Sequence, residues 1–162
     1  MPDRHIFLIG MQGCGKSSLG KRVARETGLS FRDTDAMVAA SAGCTVNEFF
    51  EKYGEETFRR AETGALSLLT RERPMIISTG GGTIMNPVNR HIMRAWGAIV
   101  LIDRPLEDIQ PSDDRPLSRD REALEQRYAE RYPRYVAAAD TGIPVRGSAD
   151  TVAQAIREEF LI

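Results

Sequence analysis

Cysteine is scarce in this chain. Its 162 residues include two, Cys14 and Cys44, whose spacing matches neither a zinc ligand set nor a disulfide framework. A reducing, cytoplasmic setting is expected. The chain also lacks an excess of either charge: 22 Lys and Arg oppose 23 Asp and Glu, for a formal net charge of −1. With no run of basic residues to form a local patch, nucleic acid is not an expected partner. Long apolar runs are missing near the start as well. Ile6–Ile9 is four residues long and meets Gly10 at once, too short for a signal or membrane segment, so neither export nor membrane association is expected. Repeats and low-complexity tracts are absent, and the polar, proline-bearing break from Gln110 to Ser118 reads as an internal loop.

What remains is an ordinary globular composition, 41% hydrophobic and 28% charged, at a length that buries a core without cross-links. One domain and a monomer are expected. Ile6–Ile9 reads as a strand buried on both faces, as in the middle of a parallel sheet. Met75–Ile77, Ala98–Ile102 and Ile143–Val145 are similar runs, and Leu29–Thr34 is a weaker one. Helical segments with recognisable ends lie between them, such as Asn86 with Pro87 in the first turn and Ser148 before the terminal helix. The alternation predicts a three-layer α/β fold with a central, about five-stranded parallel sheet and ligands beyond the carboxyl ends of its strands.

Gly10-Met11-Gln12-Gly13-Cys14-Gly15-Lys16-Ser17 matches GxxxxGK[ST], directly after the first strand and before a helix predicted over 18–27. In such a loop backbone N–H groups turn toward phosphates, and the helix offers its positive end to the same anion. Lys16 would reach the β- and γ-phosphates, and Ser17 has the hydroxyl for Mg²⁺. Cys14 is either a reactive thiol at a helix N-terminus or small filler, and filler is the preferred reading.

Asp33-Thr34-Asp35 ends the weak second strand. Two positions apart in an extended segment, the carboxylates would face one site, one toward metal and one toward an acceptor hydroxyl. The other reading is N-capping of a helix over 36–42, and taken alone capping prevails. After a break at Gly54, a helix with the apolar stripe Phe58, Ala61, Ala65 and Leu68 carries Arg59 and Arg60. Arg60 is i+4 from Glu56, a solvated pair, and Arg59 is i,i+3 from Glu62, which would fix a guanidinium suited to a carboxylate. Singly, either arginine is read preferentially as a surface residue.

Thr79-Gly80-Gly81-Gly82-Thr83 follows a strand. Three glycines suggest a ligand close to the backbone, with a tight connection as the other reading. Arg115 lies in the polar loop, where a closing arginine would stabilise charge on a transferring phosphoryl group. A long helix predicted from near Ser118 meets Pro133 within Arg131-Tyr132-Pro133-Arg134-Tyr135, where a kink or break would aim Arg131 inward.

Together these residues resemble the shikimate kinase family, small P-loop kinases of the nucleoside-monophosphate-kinase type. The resemblance runs from Ile6 to about Ile156 on GMQGCGKSS, DTD, GEETFRRAE, STGGGT, RPL and RYPRY in family order. It implies a single kinase domain over 1–162, with acceptor-binding helices at about 35–62 and a lid loop at about 109–118. It implies that Gly13, Cys14, Gly15, Lys16, Ser17, Ser18 and Arg115 bind ATP, and that Ser17 and, largely through water, Asp33 hold Mg²⁺. Arg59 and Arg131 would hold the carboxylate of shikimate, while its hydroxyls meet Asp35 and the Gly81 backbone. Lys16, Asp35 and Arg115 would be catalytic, with Asp35 orienting the 3-hydroxyl, and the products would be shikimate 3-phosphate and ADP.

Two features depart from the family. The lid is short and carries Asp113 and Asp114 in place of basic residues, which suggests that they hold Arg115 off the site until ATP arrives. Arg146-Gly147-Ser148 stands where the family has its adenine-side loop, without a clear side-chain match. The alternatives are another small-molecule P-loop kinase, such as a gluconate kinase, and a nucleotide-binding regulator without turnover.

Overall fold

The computed structural model describes residues 2–110 and 120–162. Five strands, β1 (His5–Ile9), β2 (Phe31–Asp33), β3 (Ile76–Ser78), β4 (Gly97–Asp103) and β5 (Thr141–Pro144), form one sheet in the order β2-β3-β1-β4-β5. Every pairing is parallel, with Ile6 opposite Ile76 on one side and Ala98 on the other. The helices are α1 (Lys16–Thr27), α2 (Thr34–Ala42), α3 (Val46–Leu69), α4 (Pro87–Trp96), α5 (Arg121–Ala138) and α6 (Ala149–Phe160).

Because successive strand residues face opposite ways, the apolar runs split between two cores. Ile6, Leu8, Ile76, Val100 and Ile102 pack with Leu19 and Val23 of α1 and Val152 and Ile156 of α6. Phe7, Ile9, Ile77, Ile99 and Leu101 pack with Leu66 and Leu69 of α3, Met93 of α4 and Leu124 and Tyr135 of α5. This is the expected three-layer arrangement, and it explains why the central strands show no polar alternation. The weak second run is an edge strand whose three residues are all partly exposed. A third cluster, Val38, Phe49, Phe58 and Ala65, joins α2 to α3 away from the sheet.

Local chemistry sets the helix ends. Asn86 accepts from Val88 N and Ser148 from Thr151 N, as expected of caps. Thr45 and Glu48 form a reciprocal capping box at α3. Inside α3, Gly54 is non-helical at φ 82°, ψ 169°, the break read from the sequence. The stripe on α3 differs from expectation: Leu68 is 60% exposed, while Leu66 and Leu69 are buried. The apolar face therefore runs Phe58, Ala65, Leu66 and Leu69, offset from the one predicted, because these residues face the sheet and α2 at once. α5 begins at Arg121 with Asp120 as its cap, and it runs through Pro133 rather than breaking there. Proline removes one helical N–H, yet Tyr135 and Ala138 beyond it are buried in the main core and hold the last turn in place.

Candidate active site

The functional motifs converge where the parallel strands end. β1 delivers the phosphate loop, β2 delivers Asp33 and β3 delivers Ser78 and the triple glycine, around a cleft of about 510 Å³. Gly13, Lys16, Ser17, Asp33, Asp35 and Arg59 are among its lining residues.

In the phosphate loop Gly13 and Gly15 have φ 78° and 98°, values that residues with a Cβ adopt only under strain. Gly15 is the N-cap residue of α1 without any side-chain cap bond, which leaves the N–H groups of the first turn for an anion. That helix starts at Lys16, two residues earlier than predicted, so Lys16, Ser17 and Ser18 all lie in its first turn. The Lys16 ammonium, 6% exposed, donates to the carbonyls of Gly10 at 2.8 Å and Met11 at 2.9 Å. The Cys14 sulfur also accepts from the Lys16 ammonium, at 3.7 Å. That thiol is 1% exposed and packs among Leu19, Val23 and Ile102.

Asp33 does two things. Its Oδ1 caps α2 by accepting from Ala36 N at 3.1 Å, and its Oδ2 accepts a short hydrogen bond from the Ser17 hydroxyl. The capping and the cleft-facing readings therefore hold together. Ser78 Oγ lies 3.2 Å from Ser17 Oγ. A hydroxyl and a carboxylate in contact beside a phosphate cradle are hard oxygen donors of the number Mg²⁺ takes from protein when phosphates and water supply the rest, so the residues fit that ion. Asp35 does not sit in an extended segment, as the two-residue spacing suggested. It lies in the first turn of α2, because capping by Asp33 starts the helix at Thr34.

The triple glycine is required by space, since Gly80, Gly81 and Gly82 do not have positive φ. A Cβ on Gly80 would lie 2.5 Å from Glu62 Oε1 and 2.6 Å from Asp35 Oδ1. On Gly81 it would lie 3.0 Å from Arg131 Nη1, and on Gly82 2.6 Å from Arg59 Nη2. What approaches the backbone closely is thus a ring of polar side chains, one set for each glycine. The loop is fastened to β1 by Thr79, whose N and Oγ1 both donate to Leu8 O, at 3.1 and 3.0 Å.

Arg59 is held by Glu62 at 3.2 Å and Glu55 at 3.4 Å. Glu62, fully buried, also accepts a short hydrogen bond from the Thr83 hydroxyl. Arg60 pairs with Glu56 at 2.6 Å on the exposed side. Arg131 is 4% exposed, stands against Gly81 and is not part of the cleft wall. Its buried Nη1 has no hydrogen-bond partner among the described residues. Burial pulls its pKa below the ordinary arginine value; the Tyr135 hydroxyl opposes this, while the positive charges of Arg59 and Arg127 add to it. Two guanidinium groups meeting at one glycine loop, with one Nη1 unpartnered, constitute a site that favours an anion.

The family model described as shikimate kinase matches residues 12–161. This chain belongs to the shikimate kinase family. Membership makes it an ATP-using kinase, with the P-loop expected from Gly10–Ser17. A shikimate kinase of Geobacter sulfurreducens is 35% identical over 159 residues, covering 96% of this chain and 88% of the relative. The structure of the shikimate kinase from Acinetobacter baumannii, solved in complex with shikimate, superposes with a TM-score of 0.91 at 32% identity, covering 98% of this chain and 93% of that one. A gluconokinase from Sinorhizobium meliloti reaches a TM-score of 0.57 at 15% identity, covering 94% of this chain and 88% of its own, which shows a shared fold alone. Among the described residues no helix is long and apolar enough to cross a membrane, and no group of three or more His, Cys, Asp or Glu side chains converges as a metal cluster.

The sequence reading did not single out Ser78, Gln12, Glu62 as a buried carboxylate, or Tyr135, although all lie inside quoted motifs. Arg115, Asp113 and Asp114, with all of the lid they were assigned to beyond residue 110, fall outside the described residues.

Proposed function

We propose that this kinase transfers the γ-phosphate of MgATP to the 3-hydroxyl of shikimate, giving shikimate 3-phosphate and ADP. The observation that carries this is the meeting of two unlike half-sites on one cleft: the phosphate loop with Ser17 and Asp33, and Asp35 with Arg59 and the glycine loop.

The N–H groups of Gly13, Gly15 and Ser18 receive the phosphates, that of Cys14 joins them by turning from the Met11 carbonyl, and Lys16 leaves the Gly10 and Met11 carbonyls to meet the transferring group. Ser17 and, largely through water, Asp33 would hold Mg²⁺, which when bound would neutralise charge on the phosphates. Arg59 and Arg131 grip the acceptor carboxylate, while Asp35 and the Gly81 backbone fix its hydroxyls. Asp35 orients the 3-hydroxyl and accepts its proton as the O–P bond forms. Since the transition state of phosphoryl transfer is loose, this orientation matters more than base strength. Arg115, outside the described residues, is assigned to ATP and to offsetting charge on the transferring group.

Residues 1–162 then act as one kinase domain. The α2–α3 pair, about 35–62 with its own apolar cluster, is the acceptor-binding part. A monomer in the cytoplasm is the expected form. Phosphorus NMR of the purified product tests the reaction. A single phosphomonoester coupled to the proton on C3 of shikimate is the predicted result, and coupling to another carbinol proton overturns the assignment of Asp35.

A further inference from the structure

Tyr135 lies four residues beyond Arg131 on α5, one helical turn along the same face. It is 1% exposed, and its ring belongs to the main core with Phe7, Ile9 and Leu101. A buried tyrosine hydroxyl needs a partner. This one donates to the carbonyl of Gly81 at 2.5 Å and lies 3.8 Å from Met11 Sδ.

Those neighbours come from separate parts of the site. Gly81 is the middle of the glycine loop, Met11 belongs to the phosphate loop and offers its carbonyl to Lys16, and Arg131 interacts electrostatically with the same phenol. The phenol itself stays protonated, because burial raises its pKa well above the ordinary tyrosine value, an effect that nearby Arg131 only partly offsets. It is a fixed donor rather than an acid or base.

We infer that Tyr135 is a positioning residue for the acceptor, its hydroxyl holding the Gly81 carbonyl and the Arg131 guanidinium in the relation that an anionic acceptor requires. The inference rests on the reading that Arg131 and Gly81 belong to the acceptor site. A buried guanidinium with an unpartnered Nη1 has several ways to relax, and each turns it from a shared anion. Tying Gly81 and Arg131 to one hydroxyl removes that freedom before the acceptor arrives, so less ordering is left for binding.

Tyr135→Phe removes the hydroxyl and keeps the ring. The expected result is a rise of about tenfold in the KM for shikimate, on the order of one good hydrogen bond to a charged site, with the KM for ATP unchanged. A purely structural role would lower the melting temperature and leave both KM values as they are, and that outcome overturns the proposal. Arg131→Ala and the double variant complete a cycle. If Arg131→Ala raises the shikimate KM and Tyr135→Phe does not, the Tyr135 inference fails while the acceptor-site reading stands. If Arg131→Ala leaves that KM untouched, the acceptor-site reading itself fails. In the double variant, the tyrosine change should add little, because Arg131 is no longer there to position. A measurement on the unaltered protein guards against a variant that does not fold. With ¹³Cζ-labelled tyrosine, the Tyr135 signal should move on adding shikimate, and a signal that stays still contradicts the proposal.

Discussion

Ser17 and Asp33 are sixteen residues apart in the chain, yet the hydroxyl of one donates directly to the carboxylate of the other. The contact joins the first turn of α1 to the N-cap of α2 across the ends of β1 and β2, with β3 between them in the sheet, so the residue that starts α2 also faces the phosphate cradle. One substitution separates the two duties. Asn replaces Asp as a helix cap at little cost but lacks the charge. Asp33→Asn should therefore unfold within about 0.5 kcal/mol of the unaltered protein, while half-maximal activity should require several-fold more Mg²⁺. Titration of the rate against free Mg²⁺, beside a melting curve, checks both halves.

Lys16 carries a different load. Its ammonium now binds two carbonyls of its own loop, and in the proposed reaction it would offset charge on the transferring phosphoryl group. Lys16→Ala should lower kcat by about 10²-fold or more. A steady-state rate within threefold of the unaltered protein would remove Lys16 from the chemistry.

The glycine loop makes a prediction that depends on space alone. A Cβ at residue 82 would come within 2.6 to 2.7 Å of three guanidinium atoms of Arg59. Because those atoms end a flexible side chain, Gly82→Ala should displace Arg59, raising the shikimate KM while lowering the melting temperature only slightly. Gly20→Ala is the contrast: its Cβ would meet the Phe31 ring at 2.5 Å and Leu8 at 3.1 Å. Overpacking there should cost about 1–3 kcal/mol and leave the shikimate KM unchanged. Melting and kinetics on both variants distinguish the two kinds of close approach.

Much of this fold was legible because buried parallel strands read as unbroken apolar runs, and because Asn86, Ser148 and Gly54 mark ends and breaks by local chemistry. The phosphate loop was legible for the same reason: its geometry is written in consecutive residues. The misreadings lie where distant parts decide. Leu68 looked like a core residue on periodicity, but the approach of α3 to the sheet buries Leu66 and Leu69 instead. Pro133 looked like a kink or a break, and the break does not occur, because the core contacts of Tyr135 carry the helix past it. The glycines at 80–82 suggested a ligand, and only the fold reveals that Asp35, Glu62, Arg131 and Arg59 approach them. Spacing alone does not reveal that Glu62 is buried, since its i,i+3 relation to Arg59 is the same on an exposed helix.

His5 opens the central strand β1, at the end of the sheet away from the cleft. It is 3% exposed, and burial lowers its pKa from 6.5, with the Thr70 backbone and the charge of Glu72 partly opposing the shift. The unfolded chain therefore binds a proton that the folded chain resists. Stability from this group is complete above about pH 6.5 and is lost as the pH falls toward the lowered value. The melting temperature should drop on acidification from pH 7 to 5.5, and His5→Leu should flatten that part of the profile. An unchanged slope in the variant would show that other groups cause the drop.

The central claim is that MgATP is spent on shikimate. ADP release by the purified protein, measured in parallel with shikimate, with gluconate and with no acceptor, tests it most directly. The account predicts release that depends on shikimate and stays at background in the other two. Release with gluconate and not with shikimate, or ATP binding without release under any condition, would contradict it.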